Sequence, residues 1–142
     1  MKTKYKNILY VILFSTYPSL ALLAHNITED HIFVVIRPMI FSVLFSVAIL
    51  LFCQIFYRDL TKSSIFSSIA IFFFFSFGHL LGSLQGYYVG GIEIGRVRFL
   101  GIMSLLVIIS SFFGLLLSKK SIPIQLQNLI LFISVILITF PI

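Results

Sequence analysis

The amino-acid sequence predicts an all-α integral membrane protein, a single domain over residues 1–142 folded as a bundle of five transmembrane helices. Of the 142 residues, 60% are hydrophobic and only 10% are charged, whereas a soluble domain carries about 25% charged residues. Several apolar runs approach the length of about 20 residues that a helix needs to cross the hydrocarbon core. These runs are continuously apolar, unlike the alternating strands of a membrane barrel, and a helix satisfies its own backbone within the bilayer.

Short polar breaks separate the predicted spans. The first span could be either a cleaved signal peptide or a retained helix. The basic segment before it is typical of a signal peptide, but the apolar run that follows is longer than a usual signal core and contains a proline. We therefore expect the first span to be retained. The five spans cover residues 8–24, 33–56, 64–84, 99–117 and 125–142.

Prolines mark the first two spans. Pro18 lies inside the first span, where proline kinks a helix and frees a carbonyl group, and Ser15 or Thr16 is near enough to compensate. Arg37 and Pro38 open the second span, where a proline in the first helical turn loses no hydrogen bond. These positions predict a bent first helix and a second helix that begins close to Arg37.

The remaining spans carry small and polar residues. Cys53, the single cysteine, lies in the apolar second span and is expected to be a small buried hydrophobe. Pro123 stands where the fifth helix would begin. Small residues along one side of the fourth span favour close approach of a neighbouring helix. They are Gly101, Ser104, Ser111 and Ser118.

The distribution of basic residues predicts the orientation. Basic residues collect on the cytoplasmic side of membrane proteins. With the N-terminus in the cytoplasm, seven of the ten bases lie inside and three lie outside, which also sends the C-terminus outside. The inner bases are Lys2, Lys4, Lys6, Arg58, Lys62, Lys119 and Lys120, and the outer ones are Arg37, Arg96 and Arg98.

His79 is the sharpest candidate for a functional residue within a span. It shares one side of the third helix with Ser64, Ser68, Ser76 and Ser83, because these residues recur at separations of three and four or their sums. Ionisable groups within spans are costly and tend to face the bundle interior. Two interpretations remain open: a ligand or proton site facing the outer leaflet, or a packing histidine bonded to a neighbouring helix.

Other polar residues gather on the predicted outer side. Arg37 could anchor its helix at the interface by extending toward the headgroups, or it could bind a lipid phosphate as a bidentate donor. Arg96 and Arg98, at the start of the fourth span, admit the same two readings. With His25 at the outer end of the first span, these residues and His79 form the candidate site for an anionic lipid or another polar ligand.

The sequence contains no motif of a soluble enzyme and no catalytic constellation. It has no metal-ligand spacing, no nucleophile elbow and no glycine-rich phosphate loop, since Gly90, Gly91 and Gly95 do not sit between a strand and a helix of an α/β unit. We expect no cofactor in this segment. The net charge of +6 arises from loop residues, so we expect membrane lipids as partners and no nucleic acid.

Six short pieces of the sequence resemble the N-terminal membrane region of bacterial sulfatase-like proteins of the alkaline-phosphatase superfamily. Their order and spacing extend over most of the chain, although Phe77 stands where the family has a tyrosine. The pieces are Tyr17-Pro18, Ala24-His25-Asn26-Ile27, Arg37-Pro38, Arg58-Asp59 with Lys62, Phe74-Phe75-Ser76-Phe77-Gly78-His79 and Gly95-Arg96-Val97-Arg98-Phe99.

This resemblance implies a membrane anchor in the bacterial cytoplasmic (inner) membrane, followed by an extracytoplasmic hydrolase or transferase domain. That domain would hold the metal ligands and the nucleophile, so no catalytic residue is assigned to this segment. The end at Thr139-Phe140-Pro141-Ile142, which has no polar anchor, favours an N-terminal part of a longer protein. The alternative is a small standalone polytopic membrane protein, such as a transporter component or an assembly partner. An intramembrane transferase using His79 as a base is a third hypothesis, but no matching carboxylate supports it.

Overall fold

A computed structural model describes the backbone of residues 2–25, 32–118 and 120–139. Side chains are described for residues 5–21, 23–24, 35–91, 93–118 and 120–139. The prediction of an all-helical chain is confirmed, with one small hairpin between the third and fourth helices. The elements are α1 (Lys2–His25), α2 (Ile32–Tyr57), α3 (Leu60–Leu84), β1 (Tyr88–Val89), β2 (Ile92–Glu93), α4 (Val97–Leu117) and α5 (Ile124–Thr139).

Within the described residues, three helical segments are long and apolar enough to cross a bilayer. They are Val35–Tyr57, Leu60–Leu84 and Val97–Leu117. The fifth helix is also apolar but has only 16 residues. Large hydrophobic side chains cover the outside of the bundle, and Leu117 is 76% exposed. Extensive apolar surface of this kind is typical of a protein that lies in a membrane, in agreement with the three candidate spans.

The helix ends differ from the predicted spans where polar residues cap or extend a helix. The first helix begins at Lys2, six residues before the predicted span, because helical backbone continues through the basic N-terminal segment. The third helix begins at Leu60, since Asp59 caps it by accepting a hydrogen bond from the Thr61 amide at 2.8 Å. Only Arg58 and Asp59 therefore separate α2 from α3. Arg58 makes the reversal with a φ of 51°.

The placement of Pro38 in a first helical turn is wrong. The second helix begins at Ile32, so Pro38 is its seventh residue and lies inside the helix. Arg37 is therefore about 7.5 Å along the axis from the first residue, at about 1.5 Å per residue. Proline at this depth removes one helical hydrogen bond, which the first-turn placement would have avoided.

Pro18 also lies within a continuous helix, and the predicted compensation differs in detail. The hydroxyl of Ser15 donates to the Ile12 carbonyl at 2.7 Å and that of Thr16 to the Leu13 carbonyl at 3.0 Å. The carbonyl that Pro18 leaves without a helical donor is that of Phe14. In the same turn, Ser42 of α2 donates to the Ser15 carbonyl, so a neighbouring helix supplies a donor beside the proline.

Helices α1 and α3 run parallel to each other in the centre of the bundle. Asn7 bonds Thr61 near the start of both helices, and Phe14 contacts Phe72 two turns further along. The first helix also packs against α2 and α5, and the third packs against α2 and α4. The apolar core lies between the two central helices and contains Tyr10, Val11, Phe14, Ile65 and Ile71.

Serines make the closest helix interfaces. The serines in the half of α3 toward its start are buried, as are several serines of α1 and α2. Small side chains let helix backbones approach closely where no water competes, so these serines hold the three helices together. The buried serines of α1, α2 and α3 are Ser15, Ser19, Ser42, Ser46, Ser63, Ser64, Ser67 and Ser68.

The glycine-rich break between α3 and α4 forms a two-stranded antiparallel hairpin. Gly90 and Gly91 make its turn with φ values of 59° and 82°, and a two-residue hairpin turn with positive φ at both positions favours glycine. Gly95 has a different role, because a Cβ on it would collide with the backbone of Leu84 and Gln85. The hairpin therefore folds back tightly on the end of α3.

Candidate functional site

Charged residues lie at the two ends of the bundle. Because the helices alternate in direction, the base-rich segments at the start of α1, between α2 and α3, and between α4 and α5 share one end. We name this the basic end. The opposite end carries the hairpin with Arg96 and Arg98, and also Arg37 and His79; we name it the hairpin end.

Lysines tie helices together at the basic end. Lys62 of α3 donates to the Ser118 carbonyl, which is the C-cap of α4. Lys6 of α1 donates to the Asn128 side chain of α5 at 3.2 Å. A cation at a helix C-terminus is favourable, because the last carbonyls carry partial negative charge. Lys6 and Lys62 therefore stabilise the packing of the helices at this end.

A buried polar cluster lies just inside the basic end, formed by Asn7, Tyr10 and Thr61. Asn7 is only 2% exposed and Tyr10 is fully buried. The Asn7 amide donates to the Thr61 hydroxyl at 3.0 Å, and the Tyr10 hydroxyl donates to the Asn7 carbonyl oxygen at 3.4 Å. The sequence prediction missed this cluster, because Asn7 precedes the predicted first span. The three-residue separation of Asn7 and Tyr10 was the available signal.

Cys53 and its neighbour Gln54 on α2 have structural roles. Cys53 is buried and free of any disulfide, so its prediction as a small buried hydrophobe is confirmed. One residue on, the Gln54 side chain accepts a hydrogen bond from Ser63 at 2.9 Å, and Ser63 also bonds the Asp59 carbonyl. These contacts link α2 to the start of α3.

At the hairpin end, Arg96 forms an ion pair. Its Nε lies 3.2 Å from a carboxylate oxygen of Glu93, and the other oxygen of Glu93 accepts the Gly86 amide at 3.3 Å. Arg96 is therefore partly neutralised within its own hairpin. Arg98, two residues further, is exposed, and no ion pair or side-chain hydrogen bond involves it among the described residues.

His79 lies at the hairpin end with its side chain exposed. It is five residues before the end of α3, or about 7.5 Å along the axis. Among the described side chains none bonds to it, so the structure does not show the packing histidine that would bond a neighbouring helix. Its stripe is buried at Ser64 and Ser68, where α1 packs, and open at His79 and Ser83.

The candidate residues share an end of the bundle but not a hydrogen-bond network. Arg37 on α2 and Arg98 on α4 are both exposed, and no described contact joins either of them to His79. His25 is the last residue of α1, and its side chain lies outside the described part of the chain. Arg37 and Arg98 are thus separate exposed cations, and cations of this kind attract anionic headgroups.

Gly101 of α4 does not have the packing role expected of it. A Cβ added to Gly101 would meet nothing within 4 Å, so no neighbouring helix approaches it closely. Only Leu100 of α4 is buried. The interpretation of Gly101 as a packing glycine is therefore wrong. Helix α4 contacts α3 along a limited length, and open space lies beside Gly101.

The described residues contain no group of three or more histidine, cysteine, aspartate or glutamate side chains able to hold a metal ion. No protein-family model, curated protein or solved structure matched the chain.

Proposed function

We propose that the chain is the membrane-anchoring domain of a bacterial sulfatase-like hydrolase or transferase that acts at the outer face of the cytoplasmic membrane. The basic end lies in the cytoplasm and the hairpin end lies outside. The observation that carries this proposal is the excess of basic residues at one end, which has seven of the ten bases of the sequence. The lysines Lys6, Lys62 and Lys120 lie at one end, and the basic side of a membrane protein is cytoplasmic.

In this proposal all five helices are embedded. The first helix packs against α2, α3 and α5, so it must lie at the same depth as the three helices that are long enough to span. The fifth helix, with 16 residues, is about 24 Å long, shorter than the hydrocarbon core of about 30 Å. Local thinning of the bilayer accommodates a short helix at modest cost.

The direction of α5 supports a role as an anchor. This helix runs parallel to α1, as the bond from Lys6 to Asn128 near its start indicates, and its last described residue, Thr139, lies toward the hairpin end. A polypeptide continuing from α5 would emerge on the outer side. A catalytic domain there would meet its substrate beside Arg37, His79 and Arg98, whose role is to help position an anionic lipid or glycan-lipid.

Two experiments test the anchor. Alkaline phosphatase fused after Ile142 is expected to be active, because that enzyme folds only outside the cytoplasm, whereas a fusion after Lys120 is expected to be inactive. The reverse result would overturn the orientation. The DNA downstream of codon 142 tests the sulfatase-like identity: an open frame encoding a sulfatase-type metal site supports it, and a stop codon with no related frame nearby favours a small standalone membrane protein.

The positioning role has its own test. If the longer protein is expressed, His79→Ala and Arg37→Ala are expected to raise the KM for a lipid-linked substrate while the KM for a water-soluble substrate stays unchanged. Equal effects on both substrates, or none on either at normal membrane levels, would contradict a role in positioning lipid.

A further inference from the structure

An apolar groove runs along the outside of the bundle between α2, α3 and α4. Its volume is about 380 Å³, within the range of about 300–1,000 Å³ typical of ligand pockets. Phe45 and Ile49 of α2 form one wall, Phe73 and Phe77 of α3 form the floor, and α4 forms the other wall. The lining from α4 is Gly101, Ser104, Leu105 and Ile108.

The groove is closed toward the basic end and open toward the hairpin end. Near the basic end, α2 and α4 meet through aromatic contacts: the ring centroids of Phe56 and Phe112 are 5.8 Å apart, and the Tyr57 hydroxyl donates to the Phe112 carbonyl at 3.0 Å. Phe66 of α3 joins them at 5.3 Å from Phe112. Above this aromatic contact α2 and α4 separate, and the groove occupies the space between them.

Arg98 lies at the open end of the groove, on the same stripe of α4 that lines it. Residues 98, 101, 105 and 108 follow one another at separations of three and four, so they share a face of the helix. Helical side chains lean toward the N-terminus of their helix, which for Arg98 is the hairpin end. It also lies in the first turn of α4, where a cation is unfavourable unless an anion accompanies it.

We infer that this groove binds one acyl chain of an anionic phospholipid whose phosphate contacts Arg98. The apolar walls suit a hydrocarbon chain and offer no pattern of donors and acceptors for a polar ligand. A guanidinium group at the open end matches a lipid phosphate in charge and geometry. The inference rests on the proposed membrane embedding and orientation, and it deepens that proposal by assigning the anionic lipid to a specific place.

Gly101 makes the inference testable. A Cβ added to it meets nothing within 4 Å, and Gly101 lines the groove, so the side chain of a larger residue there would extend into the groove. Gly114, also on α4, is equally open but lies outside the groove lining. Gly101→Leu therefore blocks the groove, and Gly114→Leu is its matched control. Both variants replace glycine in the same helix, where leucine is the better helix former.

The chain contains no tryptophan, so a single introduced tryptophan reports its own lipid contacts. The full chain carrying Phe77→Trp is reconstituted into phosphatidylcholine vesicles doped with brominated phosphatidylglycerol, which quenches tryptophan fluorescence on contact. Ile102→Trp is the reference reporter, because residue 102 is exposed on α4 and does not line the groove. We expect the groove reporter to be quenched more strongly than the bulk fraction of brominated lipid would give. The reference reporter should be quenched only as much as that bulk fraction gives.

Variants in the Phe77→Trp background complete the test. Arg98→Gln is expected to lower the preference for phosphatidylglycerol about five-fold, the equivalent of one arginine contact with an anionic lipid. Lys120→Gln, the same charge change at the basic end, should leave the preference unchanged. Gly101→Leu should reduce quenching by brominated phosphatidylglycerol and brominated phosphatidylcholine alike, and Gly114→Leu should not.

A groove reporter that follows the bulk composition, as the reference reporter does, would overturn the inference and leave the membrane anchor intact. An unchanged preference in Arg98→Gln, an exposed position where the substitution does not threaten folding, would overturn the assigned phosphate contact. Absence of quenching at Ile102→Trp would mean that α4 is not in the bilayer, and that result would refute the proposed function itself.

Discussion

Gly95→Ala is expected to destabilise the protein by separating the hairpin from the end of α3. The added Cβ would collide with the carbonyl group of Leu84 and the Cα of Gln85. Because these are backbone atoms, no side-chain rotation relieves the collision, and forcing extra volume into such a site costs about 1–3 kcal/mol. Moving the Leu84 carbonyl also disturbs the hydrogen bond that it accepts from the Tyr87 amide at 3.2 Å, adding about 1 kcal/mol.

The matched control is Gly82→Ala, which also replaces a glycine by alanine near the hairpin end. A Cβ on Gly82 meets nothing within 4 Å, and alanine is favoured over glycine inside a helix by up to about 1 kcal/mol. The free energy of unfolding of Gly95→Ala should therefore be about 2–4 kcal/mol below that of the wild type, and that of Gly82→Ala should be up to about 1 kcal/mol above it. Loss of helical circular dichroism during titration with a denaturing detergent measures both. A Gly95→Ala protein within about 0.5 kcal/mol of the wild type would refute the close contact.

Three further predictions concern the basic end and use the same unfolding measurement. A double-mutant cycle of Asn7→Ala and Thr61→Ala should give a coupling energy of about 0.6 kcal/mol, the average for hydrogen bonds between membrane helices; strictly additive effects would contradict the bond. Asp59→Ala should cost about 0.5–2 kcal/mol by removing the cap of α3, whereas Asp59→Asn keeps an accepting oxygen and should cost less. Lys62→Met should cost about 0.3–1 kcal/mol through its lost contact with the end of α4, and Lys120→Met, in the exposed loop, should cost nothing measurable.

The sequence predicted the helices well because apolar length and charge placement are local properties. The spans 33–56 and 99–117 match α2 and α4 to within two residues. The ends were missed where a tertiary or capping contact extends the helix, as Asp59 does for α3. Pro38 was misplaced because neighbouring groups can satisfy the backbone that a proline frees inside a membrane helix. In sequence, such an internal proline cannot be distinguished from one that starts a helix.

The candidate site was harder to predict than the helices. Helical periodicity identified the side of α3 that carries His79, but exposure depends on where α1 stops covering that side. Gly101 is a second case in which the position of a neighbouring helix decides the role of a residue. Its spacing with Ser104 favoured helix packing, and only the separation of α2 from α4 makes it part of an open groove. Spacing within one helix does not determine the distance between two others.

The separation of α2 from α4 has a cause in the sequence of α3. In the half of α3 toward the basic end, residues 63–68 are all buried, and four of them are serines. Small side chains there allow the neighbouring helices to approach α3 closely. In the other half, residues 72–75 and Phe77 are phenylalanines, and each is partly or largely exposed.

Bulky rings of α3 lie between α2 and α4 in this half, where Phe73, Phe74 and Phe77 line the groove, and Phe74 contacts Phe45 of α2 at 5.3 Å. Along its length, α3 therefore changes from serines, which let neighbouring helices pack closely, to phenylalanines, which hold neighbouring helices apart. A bundle that is tight at its basic end and open at its hairpin end follows from that change. Replacing serines by phenylalanines in the first half of α3 would remove this asymmetry and the groove with it, so the position of the lipid site depends on the order of small and large residues in α3.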